Sequence, residues 1–263
     1  MKVWKGDVMA GFLIDLDGTM YKGIVPIDGA IEWIDRLNAY HVDYLFLTNN
    51  SSRTPKQAAA HMNKMGFNVT ADKFYTSAMA AVATIKLNDP DAKSAAYIGE
   101  DGMYEALVEA GFKLDYHNPQ YFFVGLNRQA TYQEYSEAAR LIVNGAKLVG
   151  TNNDRILLSE KGVNVGNGSI VAMLEYCCSR SAIKIGKPYS PIFEGALEKL
   201  GLPKDDVYVV GDNLETDIMG ATKCGLKSIF IDSGVHQLAD VGDLGIQPTY
   251  YVKNVLGIES LFQ

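Results

Sequence analysis

The chain has 263 residues, 48% hydrophobic and 21% charged, which is globular composition with length for one large domain or two smaller ones. A net charge of −7 and a pI of about 5.1 exclude a global basic field for nucleic acid and leave only a local patch open. No apolar run approaches the roughly 20 residues that span a bilayer. Three cysteines, with Cys177 and Cys178 adjacent and no CxxC spacing, argue against a disulfide framework and a zinc site; they fit reduced thiols packed in or near the core of a cytoplasmic protein.

At the N-terminus, Lys2 and Lys5 precede an apolar stretch that Asp7, Asp15 and Asp17 break up, so it does not read as a signal peptide. A first strand is expected over Gly11–Asp15. Ile31, Ile34 and Leu37 lie three apart and predict a helix over Ala30–Ala39. A second strand, Asp43–Thr48, runs into TNNSSR, and Pro55 suits the first turn of the next helix. Expected helices at Ala80–Leu87, Met103–Ala110, Tyr132–Asn144 and Ser169–Ser179 alternate with strands at Ala95–Ile98, Tyr121–Gly125 and Lys147–Gly150. Beyond them come helix Pro191–Leu200, strand Asp206–Gly211, helix Thr216–Cys224 and strand Lys227–Asp232. Strands that are apolar on both faces and alternate with helices predict a parallel, doubly covered α/β sheet. The middle hundred residues either extend that sheet or form a separate α/β insert at about 79–182.

Chemistry gathers at the strand ends. Asp15 and Asp17 are two residues apart and point to one side, beyond the sheet edge where open α/β sheets bind ligands. DGT is also ordinary turn chemistry. Thr48, Asn49, Asn50, Ser51 and Ser52 place hydroxyls, amides and N–H groups at a strand-to-helix turn, as a phosphate cradle or as helix caps. Lys187, held between Gly186 and Pro188, reads as a neutralising cation or as a solvated loop lysine. Gly211-Asp212 ends another strand, with Glu215 and Asp217 following; Asp217 also fits a helix cap. Carboxylates converging on one point repel, and a hard divalent cation such as Mg²⁺ resolves the repulsion. One of the two early aspartates can then serve as a nucleophile and the other as a proton donor. His41, His61, His117 and His236 lie outside these stretches and default to surface or packing roles. No GxGxxG follows the first strand, so the turn that a nicotinamide enzyme requires is missing.

The order DxDGT, TNN, GKP and GDxxxTD across residues 15–217 resembles the haloacid dehalogenase superfamily of phosphatases. TNNSSR, GTNNDR (150–155) and GNGS (166–169) resemble its class IIA, NagD-like or para-nitrophenyl phosphatase-like subfamily. The resemblance implies a Rossmann-like doubly wound core, 1–78 plus 183–263, with an inserted type C2 α/β cap at 79–182. It implies that Asp15 attacks phosphorus to form an aspartyl-phosphate. Asp17 would protonate the leaving oxygen and then activate water. Mg²⁺ would be held by the Asp15 carboxylate, the Asp17 backbone carbonyl and Asp212, with Asp217 orienting its waters or Lys187. Thr48 and the backbone at Asn49 and Asn50 would bind phosphate oxygens, and Lys187 would neutralise them. Thr151, Asn152 and Asp154 would approach the leaving group; Asn153 stands where the subfamily more often has Pro or Arg. GNGS would place a phosphate at a helix N-terminus, or form a turn. The expected partner is a small phosphorylated metabolite, with no nucleic acid and no membrane, and such relatives often form a homodimer through the cap. The alternatives are a phosphotransferase or mutase on the same scaffold, and a binding protein that has lost turnover.

Overall fold

The computed structural model describes residues 10–159 and 162–262. Lys2, Lys5 and Asp7 lie outside the described residues. By internal contacts the chain divides into two units, Met1–Leu47 with Gln57–Tyr75 and Phe193–Gln263, and Thr48–Lys56 with Thr76–Ile192.

The first unit is built on a six-stranded sheet in the order Tyr250–Val252, Lys227–Ile231, Val207–Gly211, Gly11–Ile14, Tyr44–Thr48, Phe74–Thr76. The pairs from Tyr250–Val252 through Tyr44–Thr48 run parallel, with Leu13 between Val209 and Leu45. The three central strands are buried along their whole length. Their β-branched and aromatic side chains therefore pack on both faces, as a covered parallel sheet demands. The helix Ala30–Ala39 buries Ala30, Trp33, Ile34 and Leu37. Ile31 is only partly buried, so Trp33, packed edge-on against Phe12 at 5.6 Å, centres the face instead.

The segment expected as one helix, Thr216–Cys224, starts earlier, as a single wide π turn at Leu214–Ile218 that passes into α-helix at Met219–Lys223. Asn213 caps it by accepting from the Glu215 and Thr216 N–H groups, so the cap is Asn213 and not Asp217.

The second unit holds a five-stranded parallel sheet in the order Ile183–Lys184, Lys147–Gly150, Tyr121–Val124, Ser94–Ile98, Lys113–Leu114. The helices Ser77–Asn88, Asp101–Glu109, Tyr132–Val143 and Asn167–Cys178 accompany it. One core joins Phe122, Val124, Leu148, Ile142, Val171 and Leu174. An antiparallel hairpin, Ile156–Ser159 with Gly162–Val165, forms a separate two-stranded sheet after the strand that ends at Gly150. The fold is α/β with a Rossmann-like, doubly wound parallel core. All three cysteines are unpaired; Cys178 is buried and Cys224 half-buried, but Cys177 is exposed rather than packed. Among the described residues no helix is long and apolar enough to cross a membrane.

Candidate active site

In the first unit, two strand ends bring carboxylates together. Asp15 leaves Gly11–Ile14 with its N–H donated to Val210 O of the neighbouring strand, and that strand ends at Gly211, just before Asp212. Oxygens from Asp15, Asp212 and Asp217 all lie within 4.8 Å of one another. Asp212 and Asp217 are buried, and Asp15 is half-buried. Three carboxylates at this spacing repel strongly inside a protein. An all-oxygen donor set of this kind fits a hard divalent cation. Asp17 is exposed in the following turn, where its backbone bridges to Tyr21.

Fixed dipoles aim the Asp212 carboxylate. Thr19 Oγ1 donates to Asp212 Oδ1 at 2.7 Å, and the Val235 N–H donates to Oδ2 at 2.6 Å. Backbone presses against the same group. A Cβ on Gly234 would stand 1.8 Å from Asp212 Oδ2, and one on Gly18, at φ +93°, would stand 2.4 Å from it. Only glycine allows that approach. The neighbouring His236 is not a bystander: its Nδ1 accepts the Leu214 N–H at 3.2 Å, at the start of the turn that carries Asp217. The Asp217 carboxylate in turn accepts the Asn213 N–H at 3.2 Å.

In the second unit, the stretch after Thr48 is an ordered loop. Thr48 Oγ1 accepts the Asn50 N–H at 3.1 Å. Asn50 Oδ1 accepts from the Ser52 N–H, the Ser52 hydroxyl and the Arg53 N–H, an Asx-type turn. The Leu126 N–H donates to Ser51 Oγ, and the Gly102 N–H donates to Ser52 O. Asn49 Nδ2 donates to Asp154 Oδ1 and to Lys187 O. Lys187 is buried, 3% exposed. Asn152 Nδ2 donates to the other oxygen of Asp154. Thr151 is fully buried, its hydroxyl beside Val124 O and Asn152 Oδ1. The structure thus gathers Asn49, Asn152, Asp154 and Lys187 from three distant stretches.

GNGS clamps this loop. The Gly166 N–H and the Ser169 hydroxyl donate to Arg155 O, and the Gly168 N–H donates to Asp154 O. Those donors at the helix start are spent on the chain itself. Buried Asn167 donates to Val124 O and Asn152 Oδ1.

Thr19, Val235 and His236 are absent from the sequence-based site. Thr19 stands in DGT, which reads as a turn, and His236 meets its partner 22 residues back in the chain.

Fold and carboxylate group are those of an α/β enzyme. Residues 12–113 match the haloacid dehalogenase-like hydrolase family, and residues 184–258 match a HAD-hydrolase-like family. The chain is 38% identical over 246 residues to the acid sugar phosphatase of Staphylococcus epidermidis, covering 93% of this chain and 94% of that protein. It is 36% identical over 255 residues to the 5'-nucleotidase YutF of Bacillus subtilis, covering 97% of each. Among solved structures it resembles the glycerol phosphate phosphatase Rv1692 of Mycobacterium tuberculosis in complex with magnesium, with TM-score 0.88 and 29% identity over 96% of this chain and 78% of that one. The chain belongs to the haloacid dehalogenase-like hydrolases, in their class IIA, NagD-like branch, and is a hydrolase of phosphoric monoesters.

Proposed function

We propose that this hydrolase cleaves small phosphate monoesters in two steps through an aspartyl-phosphate on Asp15. The observation that carries the proposal is the grouping of the Asp15 carboxylate with those of Asp212 and Asp217, from the ends of two adjacent parallel strands and the turn that follows one of them. A carboxylate oxygen of Asp15 attacks phosphorus while the ester P–O bond breaks. Asp17 gives its proton to the departing oxygen. Asp17 then takes a proton from water as the water oxygen attacks phosphorus, the P–O bond to Asp15 breaks, and inorganic phosphate leaves. The exposure of Asp17 supports this role, because it leaves the carboxyl accessible to a leaving group and to water.

The all-oxygen set supports Mg²⁺ as the resident ion, held by the Asp15 carboxylate, the Asp17 backbone carbonyl and Asp212, with Asp217 beside them. Bound there, such an ion would supply charge compensation for the carboxylate nucleophile and the phosphate. Thr48 and the N–H groups of Asn49 and Asn50 bind phosphate oxygens, and Lys187 neutralises the transferring group. Asn152 and Asp154, with buried Thr151 behind them, shape the leaving-group side.

Residues 1–78 with 183–263 form the catalytic core, and residues 79–182 form the cap, which also carries a homodimer contact. The relatives' names, for acid sugar, nucleotide and glycerol phosphates, favour a small metabolite whose phosphate sits on a hydroxylated carbon skeleton. The unpaired thiols favour a cytoplasmic setting. The test is phosphate release from a panel of such esters and para-nitrophenyl phosphate, with Mg²⁺ and then with EDTA. Release that needs the ion and is lost in Asp15→Asn is expected; release unchanged by EDTA or by Asp15→Asn overturns the reading.

A further inference from the structure

The side chain of Asn49 is paired with the main chain of Lys187 in both directions. The Lys187 N–H donates to Asn49 Oδ1 at 2.8 Å, and Asn49 Nδ2 donates to Lys187 O at 3.1 Å. The second hydrogen of the amide goes to Asp154 Oδ1 at 3.2 Å. This assigns the amide orientation: a flipped amide would set Nδ2 against the Lys187 N–H and Oδ1 against two acceptors. An asparagine side chain here does for Lys187 what a neighbouring β-strand would do.

The surroundings are built for the pairing. The Ser77 hydroxyl donates to Asn49 O at 2.7 Å, so the main chain of Asn49 is itself held. The Gly186 N–H donates to Thr151 O at 2.9 Å. A Cβ on Gly186 would stand 2.6 Å from Asn49 Oδ1 and 2.7 Å from Thr151 O, so the amide reaches Lys187 only because residue 186 is glycine. The next asparagine behaves differently, because Asn50 spends its amide oxygen within its own turn.

We propose that the Asn49 side chain is the positioning residue of Lys187: it fixes the lysine main chain and ties it to Asp154. The proposal rests on the role of Lys187 given above. A lysine stem carries large rotamer entropy, so the ammonium is aimed only if the main chain beneath it is fixed. Asn49 thus contributes its backbone N–H to phosphate and its side chain to the lysine that neutralises it.

The test combines kinetics with amide exchange in the full-length chain. Turnover of para-nitrophenyl phosphate with Mg²⁺ is measured for Asn49→Ala, Lys187→Ala and the double variant, with the neutral Lys187→Gln replacing Lys187→Ala if the latter is below detection. Asn49→Ala is expected to lower kcat/KM by roughly 10- to 100-fold, mainly through kcat, in the parent chain. In the Lys187 variant the same change is expected to cost less than about threefold, because the group it positions is gone. Exchange of the Lys187 amide is expected to accelerate about tenfold or more in Asn49→Ala, with the Gly186 amide unaffected. Equal losses in both backgrounds, or an unchanged Lys187 amide, would overturn the proposal. A Lys187→Ala variant as active as the parent would instead overturn the role given to Lys187, and amide exchange would still report on the pairing.

Discussion

Thr19 Oγ1 lies 2.7 Å from Asp212 Oδ1 and 3.4 Å from Asp15 Oδ2, so one fully buried hydroxyl stands between the acids of two different strands. A hydroxyl has one proton, and the shorter contact shows that Asp212 receives it. Thr19→Val keeps the shape and removes the donor. It is predicted to destabilise the fold by about 1–3 kcal/mol, the cost of a buried acceptor that loses its partner, and to raise the Mg²⁺ concentration needed for half-maximal activity. Thr19→Ser should restore most of both. Thermal melts and Mg²⁺ titrations of the two variants check this.

Buried Asp212 and Asp217 beside Asp15 make the ion-free protein electrostatically frustrated. A divalent ion that binds only the folded chain adds about 2.7 kcal/mol at 100 times its Kd. The melting temperature of the parent chain should therefore rise by several degrees when Mg²⁺ replaces EDTA. In Asp212→Asn that ion-dependent rise should disappear. Calorimetry with and without Mg²⁺ measures both.

Asp17→Asn should slow alkyl phosphates by roughly 10²- to 10⁴-fold, because an alkoxide leaves poorly without a proton. Para-nitrophenolate needs little help, so para-nitrophenyl phosphate should suffer less in the cleavage step. Pre-steady-state release of the two alcohols separates cleavage from the water attack that follows. Equal losses on both esters would remove Asp17 from the acid role.

Stability carries a separate pH signature in the second unit. The helix Tyr132–Val143 starts with a capping box: Thr131 Oγ1 accepts the Glu134 N–H, and the Glu134 carboxylate accepts the Thr131 N–H at 2.7 Å. The Thr131 N–H, and then its hydroxyl, hold the Glu134 carboxyl below its ordinary range. A lowered carboxyl pKa contributes stability that is complete above the unfolded value and lost as pH falls through the folded one. Thr131→Ala should cost about 1 kcal/mol near neutrality. The melting temperatures of Glu134→Gln and the parent should converge as the solution is acidified through the carboxylate range.

Much of the core was legible because its signals are local. The strand expected at Asp206–Gly211, apolar on both faces and followed by an acid, is observed one residue shorter, at Val207–Gly211. The edge strands were not legible: Phe74–Thr76, Tyr250–Val252 and Ile183–Lys184 have only two or three residues, too few for a period to show. Spacing pointed to Ile31, whereas packing against Phe12 selected Trp33. Asp15 and Asp212 were visible as acids at strand ends, and Asp217 as an acid just beyond the second of them. What holds them was not, because the Thr19–Asp212 bond spans 193 positions and the Val235–Asp212 bond spans 23. Asn49 shows the same limit: its backbone place follows from the turn, but its side chain is committed to Lys187, 138 residues away.

Trapping the aspartyl-phosphate tests the covalent role of Asp15. A rapid acid quench during turnover of para-nitrophenyl phosphate with Mg²⁺, followed by borohydride reduction and peptide mass spectrometry, converts an aspartyl-phosphate into homoserine at the residue that carried it. The prediction is homoserine at position 15, present in the parent chain, absent without substrate and absent in Asp15→Asn. Full turnover with no modified residue at position 15, or with the modification on another aspartate, would contradict the account.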